Sequence, residues 1–124
     1  MSMGFQAQPE TSSIQGFLHG YLATGGANGQ VLDMMIAVRP AVVREVVAAA
    51  QSGGTTTILD LLNNGVSVWT NPANRPTLAG AAGGRFVAAR INHRSVRIGD
   101  VLQLVIAQVG NKPQLTATVA LEQP

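Results

Sequence analysis

The chain has 124 residues, of which 46% are apolar and 11% are charged, and its formal net charge is +2. This length suits one domain with a real hydrophobic core and is too short for two domains, and the lack of cysteine excludes disulfides, thiolate nucleophiles and cysteine-ligated zinc. So little charge is compatible with a small, well-packed β-domain, but it favours a subunit that covers much of its surface in an assembly.

The N-terminal residues 1–13 are small and mostly polar, and we predict that they form an extended arm ahead of a single domain over residues 14–124. Phe5, with its neighbour Gln6, is the natural anchor of this arm against a partner, although a frayed terminus would have the same composition. No basic region precedes an apolar run, so we expect no secretory signal and synthesis in a cytoplasm. No apolar stretch approaches the roughly 20 residues that span a bilayer, so we expect no membrane partner.

The first two strands are predicted over 14–23 and 31–38, with a glycine-rich turn between them. Strict alternation in the second strand places one set of apolar residues on one face and Asp33 on the other. That set is Leu32, Met34, Ile36 and Val38.

The segment 40–51 is ambiguous. Its valines recur at helical spacing, with Pro40 and Gly53 as boundaries, yet valine favours strands and the neighbouring segments are strands. Local sequence alone leaves helix and strand open here.

A β-hairpin is predicted over 55–69, because Asn64-Gly65 is the pair that best fits a type I′ turn. Trp69 falls at the end of this hairpin, and we expect it in the core rather than at a contact surface. A loop follows over 71–84, then strands over 85–91, 101–109 and 115–121 with turns between them. About eight closely spaced strands predict an all-β, antiparallel sandwich of jelly-roll type rather than a βαβ fold.

The sequence offers little that is typical of a catalytic or metal site. His19 and His93 are far apart and lack metal-ligand spacing, and Ser67 lacks the final glycine of a nucleophile elbow. The glycine clusters carry no phosphate-binding signature. We therefore expect a protein without a metal or cofactor that is not an enzyme.

Four arginines fall within one short segment, namely Arg85, Arg90, Arg94 and Arg97. They suit either a solvated surface or a patch that faces an acidic partner, since guanidinium groups bind carboxylates in a bidentate manner. A nucleic-acid interface would need a larger basic excess with interleaved aromatic residues, and this segment has only Phe86. We therefore do not expect nucleic acid as a partner.

Several motifs together resemble a β-sandwich module of tailed-bacteriophage structural proteins. They are the run Gly53-Gly54-Thr55-Thr56-Thr57-Ile58-Leu59-Asp60-Leu61-Leu62-Asn63-Asn64-Gly65-Val66-Ser67-Val68-Trp69, then Asn74-Arg75-Pro76-Thr77-Leu78-Ala79, and later Val96-Arg97-Ile98-Gly99-Asp100-Val101-Leu102-Gln103-Leu104 with Val109-Gly110. The resemblance covers roughly residues 31–121. The module occurs in capsid decoration (cement) proteins, head fibres and tail appendages. The resemblance also implies a strand over 42–51.

The resemblance implies a virion structural protein, foremost a capsid decoration protein on the outer surface of the head. Its partners would be the major capsid protein and further copies of itself, as a trimer in preference to a dimer. A glycan-binding head fibre or tail appendage is the alternative within virions, and a small carbohydrate- or nucleic-acid-binding domain is the alternative outside them. The predicted contact residues are Phe5, Gln6, Arg75, Arg85, Arg90, Arg94 and Arg97.

Overall fold

The computed structural model describes residues 14–88 and 90–124, so the predicted arm with Phe5 and Gln6 lies outside the described residues. In that part of the chain the structure is built from β-strands, with one short 3-10 helix over Pro72–Asn74 and no α-helix. The strands are β1 (Ile14–Leu22), β2 (Val31–Ile36), β3 (Ala41–Ala50), β4 (Thr57–Asn63), β5 (Val66–Ser67), β6 (Thr77–Leu78), β7 (Gly84–Val87), β8 (Ser95–Val96), β9 (Val101–Gln108) and β10 (Leu115–Glu122).

The strands form two antiparallel sheets. The first has the order β1-β10-β3, with β7 and β8 pairing in turn along the far edge of β3. The second has the order β2-β9-β4, with β5 and β6 pairing along the far edge of β4. The early strands therefore pair with the late ones in reverse order, which is the winding of an eight-position jelly roll, and the predicted all-β sandwich is confirmed.

The core lies between the two sheets and is almost entirely aliphatic. Alternation along each strand turns one set of side chains inward, and those of Leu18, Val43, Leu59 and Leu104 are fully buried. Trp69 is only 3% exposed and belongs to this core, as predicted. Each fully buried side chain of this size contributes about 1.5–3 kcal/mol, so the core supplies the main attraction between the sheets.

The predicted hairpin is present. Asn64 and Gly65 have φ values of 53° and 84°, as a type I′ turn requires, and Asn63 pairs with Val66 across it. Strand β5 is shorter than predicted, although the Val68 N–H still donates to the Leu61 carbonyl at 3.0 Å.

Segment 41–50 is a strand, as the resemblance implies, and the helical alternative is wrong. In the register of β3 with β10, Glu45 pairs with Ala120 and Val43 with Leu121, so Arg44 is an extra residue in a β-bulge. Val43 and Val46 both point inward on either side of this bulge. Because of this bulge, inward-facing valines of the strand recur at the i, i+3 spacing that is typical of a helix.

A second bulge, between Val31 and Asp33, changes the faces predicted for β2. Leu32 and Met35 pack against the core, whereas Met34, Ile36 and Val38 are exposed. The prediction that Leu32 shares a face with Met34 is therefore wrong, and three large apolar side chains face outward.

The strand predicted over 85–91 ends at Val87. The chain leaves the sheet over 88–94 and returns as β8, a two-residue strand that sequence patterns did not predict. The predicted loop 71–84 contains the 3-10 helix and β6. Within residues 14–88 and 90–124, no helix is long and apolar enough to cross a membrane.

Candidate functional site

The two lateral sides of the sandwich differ in construction. On one side the end strands β1 and β2 lie over one another, and we call this the open side. On the other side lie the interrupted end strands β5 to β8 with the segments inserted in them, and we call this the arginine side.

The arginine side collects positive charge. Between Asp60 and Asp100 the chain contains five arginines and no aspartate, glutamate or lysine. The fold places this whole stretch along the last strands of both sheets, so all five arginines that were predicted as contact residues lie on or between strands β5 to β9. They are Arg75, Arg85, Arg90, Arg94 and Arg97.

Arg75 is held by the protein itself. Its Nη1 lies 3.5 Å from Asp60 Oδ2, and its Nε donates to the Pro72 carbonyl at 3.1 Å. Asp60 is 7% exposed and also accepts from Ser67 Oγ at 2.7 Å. This half-buried ion pair fixes the segment between β5 and β6 onto β4, and the Ser67 hydroxyl adds a hydrogen bond from β5 to the same carboxylate.

Arg94 also makes internal contacts. Its Nη1 donates to the carbonyls of Val43 at 2.8 Å and Arg44 at 3.2 Å, and its own carbonyl accepts the Val43 N–H at 2.8 Å. The guanidinium therefore binds carbonyls at the β3 bulge and ties segment 88–94 to the first sheet.

The side chains of Arg85, Arg90 and Arg97 are exposed. Arg85 lies on β7, Arg90 in the inserted segment 88–94, and Arg97 directly after β8. Guanidinium groups at such positions are available to bind carboxylates of a second molecule.

The turn that carries Arg97 is locked by Asp100. The Arg97 N–H donates to Asp100 Oδ2 at 2.9 Å, and the side-chain amides of Asn63 and Asn64 donate to its two oxygens at 3.0 Å each. These contacts hold the pKa of Asp100 below its usual value of 3.8. The largest contribution comes from the Arg97 N–H, and the two side-chain amides and the charge of Arg97 add to it. The same cluster joins the Asn64-Gly65 turn to the start of β9.

A polar cleft of about 470 Å³ opens beside this cluster. Asn63 Oδ1 is buried there and has no hydrogen-bond partner among the described residues. The lining residues are Asn63, Asn64, Val66, Ser67, His93, Ser95, Arg97 and Asp100.

The two strands of the open side are rich in exposed apolar residues. They contribute five of the nine large hydrophobic side chains that are exposed in the described part of the chain, and these side chains lie on the outer faces of the two sheets rather than on one common surface. These five are Phe17, Tyr21, Val31, Met34 and Ile36. Sequence analysis did not select them, although the glycines at 16 and 20 on the inward face of β1 were a signal that Phe17 and Tyr21 point outward.

Two contacts hold β1 and β2 together at the open side. Gly20 lies so close to Leu32 that a Cβ at position 20 would stand 2.6 Å from Leu32 Cβ, so only glycine fits there without displacement. The carboxylate of Asp33 accepts the His19 N–H at 2.8 Å. In an antiparallel ladder alternate residues direct their backbone groups to the same side, so those of Phe17 and Tyr21 also point to the open side.

Lys112 is a buried group that sequence patterns did not reveal, since it falls in a predicted turn. It is 1% exposed, and its Nζ donates to the carbonyls of Gly53, Gly80 and Ala82 at 3.2, 2.5 and 3.0 Å. The ammonium thus ties together three loops at one end of the sandwich, one of which leads into β7.

The histidines contact hydroxyl groups. His19 Nδ1 lies 3.0 Å from Thr118 Oγ1, and His93 Nε2 lies 3.4 Å from Thr70 Oγ1. Among residues 14–88 and 90–124, no group of three or more histidine, aspartate or glutamate side chains is placed to hold a metal ion.

Comparison with known proteins adds no family assignment. No protein-family model matches the chain, and no curated protein matches it significantly.

Proposed function

We propose that this chain is a structural protein of a bacteriophage particle, specifically a capsid decoration protein. It would bind the outside of the head and stabilise it by bridging neighbouring major capsid subunits, without catalysing a reaction. The proposal rests on the motif resemblance together with the surface of the folded domain.

The observation that carries the proposal is the arginine side. Five arginines, with no acidic residue between Asp60 and Asp100, lie along one side of a protein whose net charge is only +2. Arg75 and Arg94 brace the inserted segments, so Arg85, Arg90 and Arg97 are presented on a rigid frame. A rigid frame loses little conformational entropy on docking, which favours binding to an acidic surface on a shell.

The fold is compatible with this role. Jelly rolls occur in viral capsid proteins and also in lectins and cupins, so the architecture alone does not assign a function. The hairpin at Asn64-Gly65 and the turn before β9 carry the resemblance to phage proteins, and Asp100 joins these two elements. The motifs that suggest the family are therefore parts of one structural unit.

The test is co-sedimentation of the purified chain with expanded heads of the phage that encodes it. We expect saturable binding at a fixed ratio to the major capsid protein, weakened at least tenfold by the double variant Arg85→Glu/Arg90→Glu. The control Thr24→Glu/Ala27→Glu adds negative charge at two exposed residues of the loop between β1 and β2, away from β5 to β8, and should bind as the unaltered protein does. No binding to heads, or equal loss in both variants, would contradict the proposal.

Glycan binding is the second candidate, and the polar cleft favours it. The buried, unpartnered Asn63 Oδ1 accepts hydrogen bonds, and the Arg97 guanidinium on the same cleft donates them, as a sugar with hydroxyl and carboxylate groups would require. Calorimetric titration with purified envelope sugars tests it. Saturable binding that Asn63→Ala removes would favour this candidate over shell binding, and no heat from any sugar would eliminate it.

A further inference from the structure

The chain contains two asparagine–glycine pairs, and both lie in turns of the described structure. Asn28-Gly29 lies between β1 and β2, and Asn64-Gly65 lies between β4 and β5. In such a pair the residue after the asparagine has no Cβ, so its backbone nitrogen can approach the side-chain carbonyl carbon of the asparagine. An asparagine followed by glycine is therefore the kind of residue that most readily loses its side-chain amide.

The reaction takes place within the chain and consumes only water. The glycine nitrogen attacks Cγ of the asparagine and gives up its proton, and the new N–Cγ bond closes a five-membered succinimide. The Cγ–Nδ2 bond breaks, and the amide leaves with that proton as ammonia. Water then opens the ring at one of its two carbonyl carbons, which produces an aspartate or an isoaspartate and adds one negative charge to the chain.

At Asn28-Gly29 the fold engages both reacting groups. The Gly29 N–H donates to the Ile106 carbonyl at 2.7 Å. Asn28 Oδ1 accepts the Val109 N–H, also at 2.7 Å. These two partners lie on or directly after β9, which is the strand between β2 and β4 in the second sheet. The reacting groups of this pair are therefore released only when the loop separates from an inner strand.

At Asn64-Gly65 the fold engages the amide but not the attacking nitrogen. Asn64 Nδ2 donates to Asp100 Oδ1 at 3.0 Å, and Asn64 Oδ1 accepts the Val101 N–H at 2.9 Å. Gly65 is exposed, and its N–H makes no hydrogen bond within the described residues. The reacting nitrogen is therefore open to water, and the contacts of the side chain restrain the reaction.

The backbone of the turn adds a second restraint. The φ of Asn64 is 53°, in the left-handed region, where ψ is about +47°. At that ψ the Gly65 nitrogen lies nearly opposite Cβ about the Cα–C bond, so it reaches Cγ only after this bond rotates. Because β5 is only two residues long, an opening confined to this turn costs less than the opening of a longer strand. The reaction at Asn64 therefore follows a local opening of the turn.

We propose that Asn64-Gly65 is a self-modification site, that Asp100 restrains its reaction, and that the product breaks the Asp100 cluster. The product replaces a hydrogen-bond donor to Asp100 with a second carboxylate, so attraction becomes like-charge repulsion. Asp100 also accepts the Arg97 N–H at 2.9 Å, so its loss loosens the turn that carries Arg97. The new charge lies in the cleft that Arg97 lines, where it competes with an acidic partner for the guanidinium.

The proposal predicts different reaction rates at the two pairs, and peptide mass spectrometry of the full chain, incubated at pH 8, measures them. In the folded protein we expect Asn64 to react at least fivefold faster than Asn28, whereas in concentrated urea the two rates should be similar. Asp100→Ala should raise the Asn64 rate at least threefold and leave the Asn28 rate unchanged, so Asn28 is an internal control for global unfolding. Equal rates in the folded chain, a faster Asn28, or an Asp100→Ala effect that is absent or equal at both pairs would overturn the proposal.

Two variants measure the effect of the product. Asn64→Asp mimics the aspartate product, and Asn64→Ser is the matched control that removes the same amide without adding charge. We expect Asn64→Asp to have the lower thermal midpoint at pH 7 and to bind heads more weakly, and equal midpoints would overturn the proposal. The effect on head binding alone rests on the proposed function. If the unaltered chain does not bind heads, that function fails, and the reaction rates and midpoints still decide the modification.

Discussion

The open side and the arginine side are both formed by the end strands of the two sheets, yet these strands differ in length and in continuity. On the arginine side, insertions break the edge strands into two- to four-residue pieces, and Arg94 from one insertion binds carbonyls at the bulge of β3. On the open side the strands stay long, and Asp33 accepts the His19 N–H at the edge of β1. Breaking a strand closes an edge to pairing and makes room for charge, whereas a long, unbroken strand keeps its outer backbone groups in a regular row.

This difference makes the arginine side the shell-binding surface in our proposal. It would bind the shell through charge that is held on a rigid frame, and many copies on one shell would raise the overall stabilisation. The exposed apolar side chains of β1 and β2 lie on the two outer faces of the sandwich and form no single surface of this kind.

The largest expected effect comes from Lys112, which anchors the loop that leads into β7 on the arginine side. Lys112→Met removes the ammonium and leaves three carbonyls without their donor, so we expect a loss of about 3 kcal/mol in the free energy of unfolding. Urea unfolding measures it, and Gln51→Met, an exposed neighbour, is the control. A loss below about 1 kcal/mol would mean that the loop is held by other contacts.

A smaller effect is expected at the turn that begins β5. Gly65→Val places a β-branched residue at a φ of 84°, although no atom lies within 4 Å of its Cβ. Strain alone should therefore lower the unfolding free energy by about 1 kcal/mol or more. Thermal unfolding decides this, with Val66→Thr as the control on the next residue. An unchanged midpoint would contradict the claim that a β-branched residue at position 65 is strained in this turn.

The ionisation of Asp100 makes the stability of the fold depend on pH. Because its folded-state pKa lies below the usual 3.8, the carboxylate stabilises the fold fully above that value, and this contribution disappears as the pH falls through the folded-state pKa. We expect Asp100→Asn to be less stable at pH 6 and to lose less on acidification from pH 5 to pH 2. Parallel curves of midpoint against pH for the two proteins would contradict this role.

The smallest effect on stability is expected from the arm, which precedes the first residue of β1. Deletion of residues 1–13 should leave the thermal midpoint unchanged, because β1 to β10 and the described core all lie within residues 14–124, but should weaken attachment to heads. Occupancy on expanded heads, measured beside the full chain, provides the readout. Full occupancy without residues 1–13 would contradict a role for the arm in binding the shell.

Sequence patterns predicted the sandwich because most strands keep their alternation and because Asn64-Gly65 specifies its turn locally. They misplaced residues where a bulge adds one position. The extra residue Arg44 made β3 look helical, and the bulge before Asp33 reversed the outward face of β2. Bulges depend on the partner strand, so a single strand's sequence does not reveal them.

The candidate surfaces were predicted unevenly for a similar reason. The arginines are close in sequence, so their grouping was visible, whereas the roles of Arg94 and Lys112 depend on carbonyls about 30 to 60 residues away in the chain. The open side joins residues from β1 and β2 that become neighbours only when each strand ends its own sheet. Which strands become edges is a property of topology, not of local pattern.

The most direct test of the account is to measure head binding of two variants that change opposite sides of the sandwich. Arg85→Glu/Arg90→Glu should stay folded and bind heads at least tenfold more weakly. Phe17→Lys, which changes an exposed side chain of β1, should bind as the unaltered protein does. If Arg85→Glu/Arg90→Glu bound normally, or if both variants lost binding equally while remaining folded, the assignment of shell binding to the arginine side would be wrong.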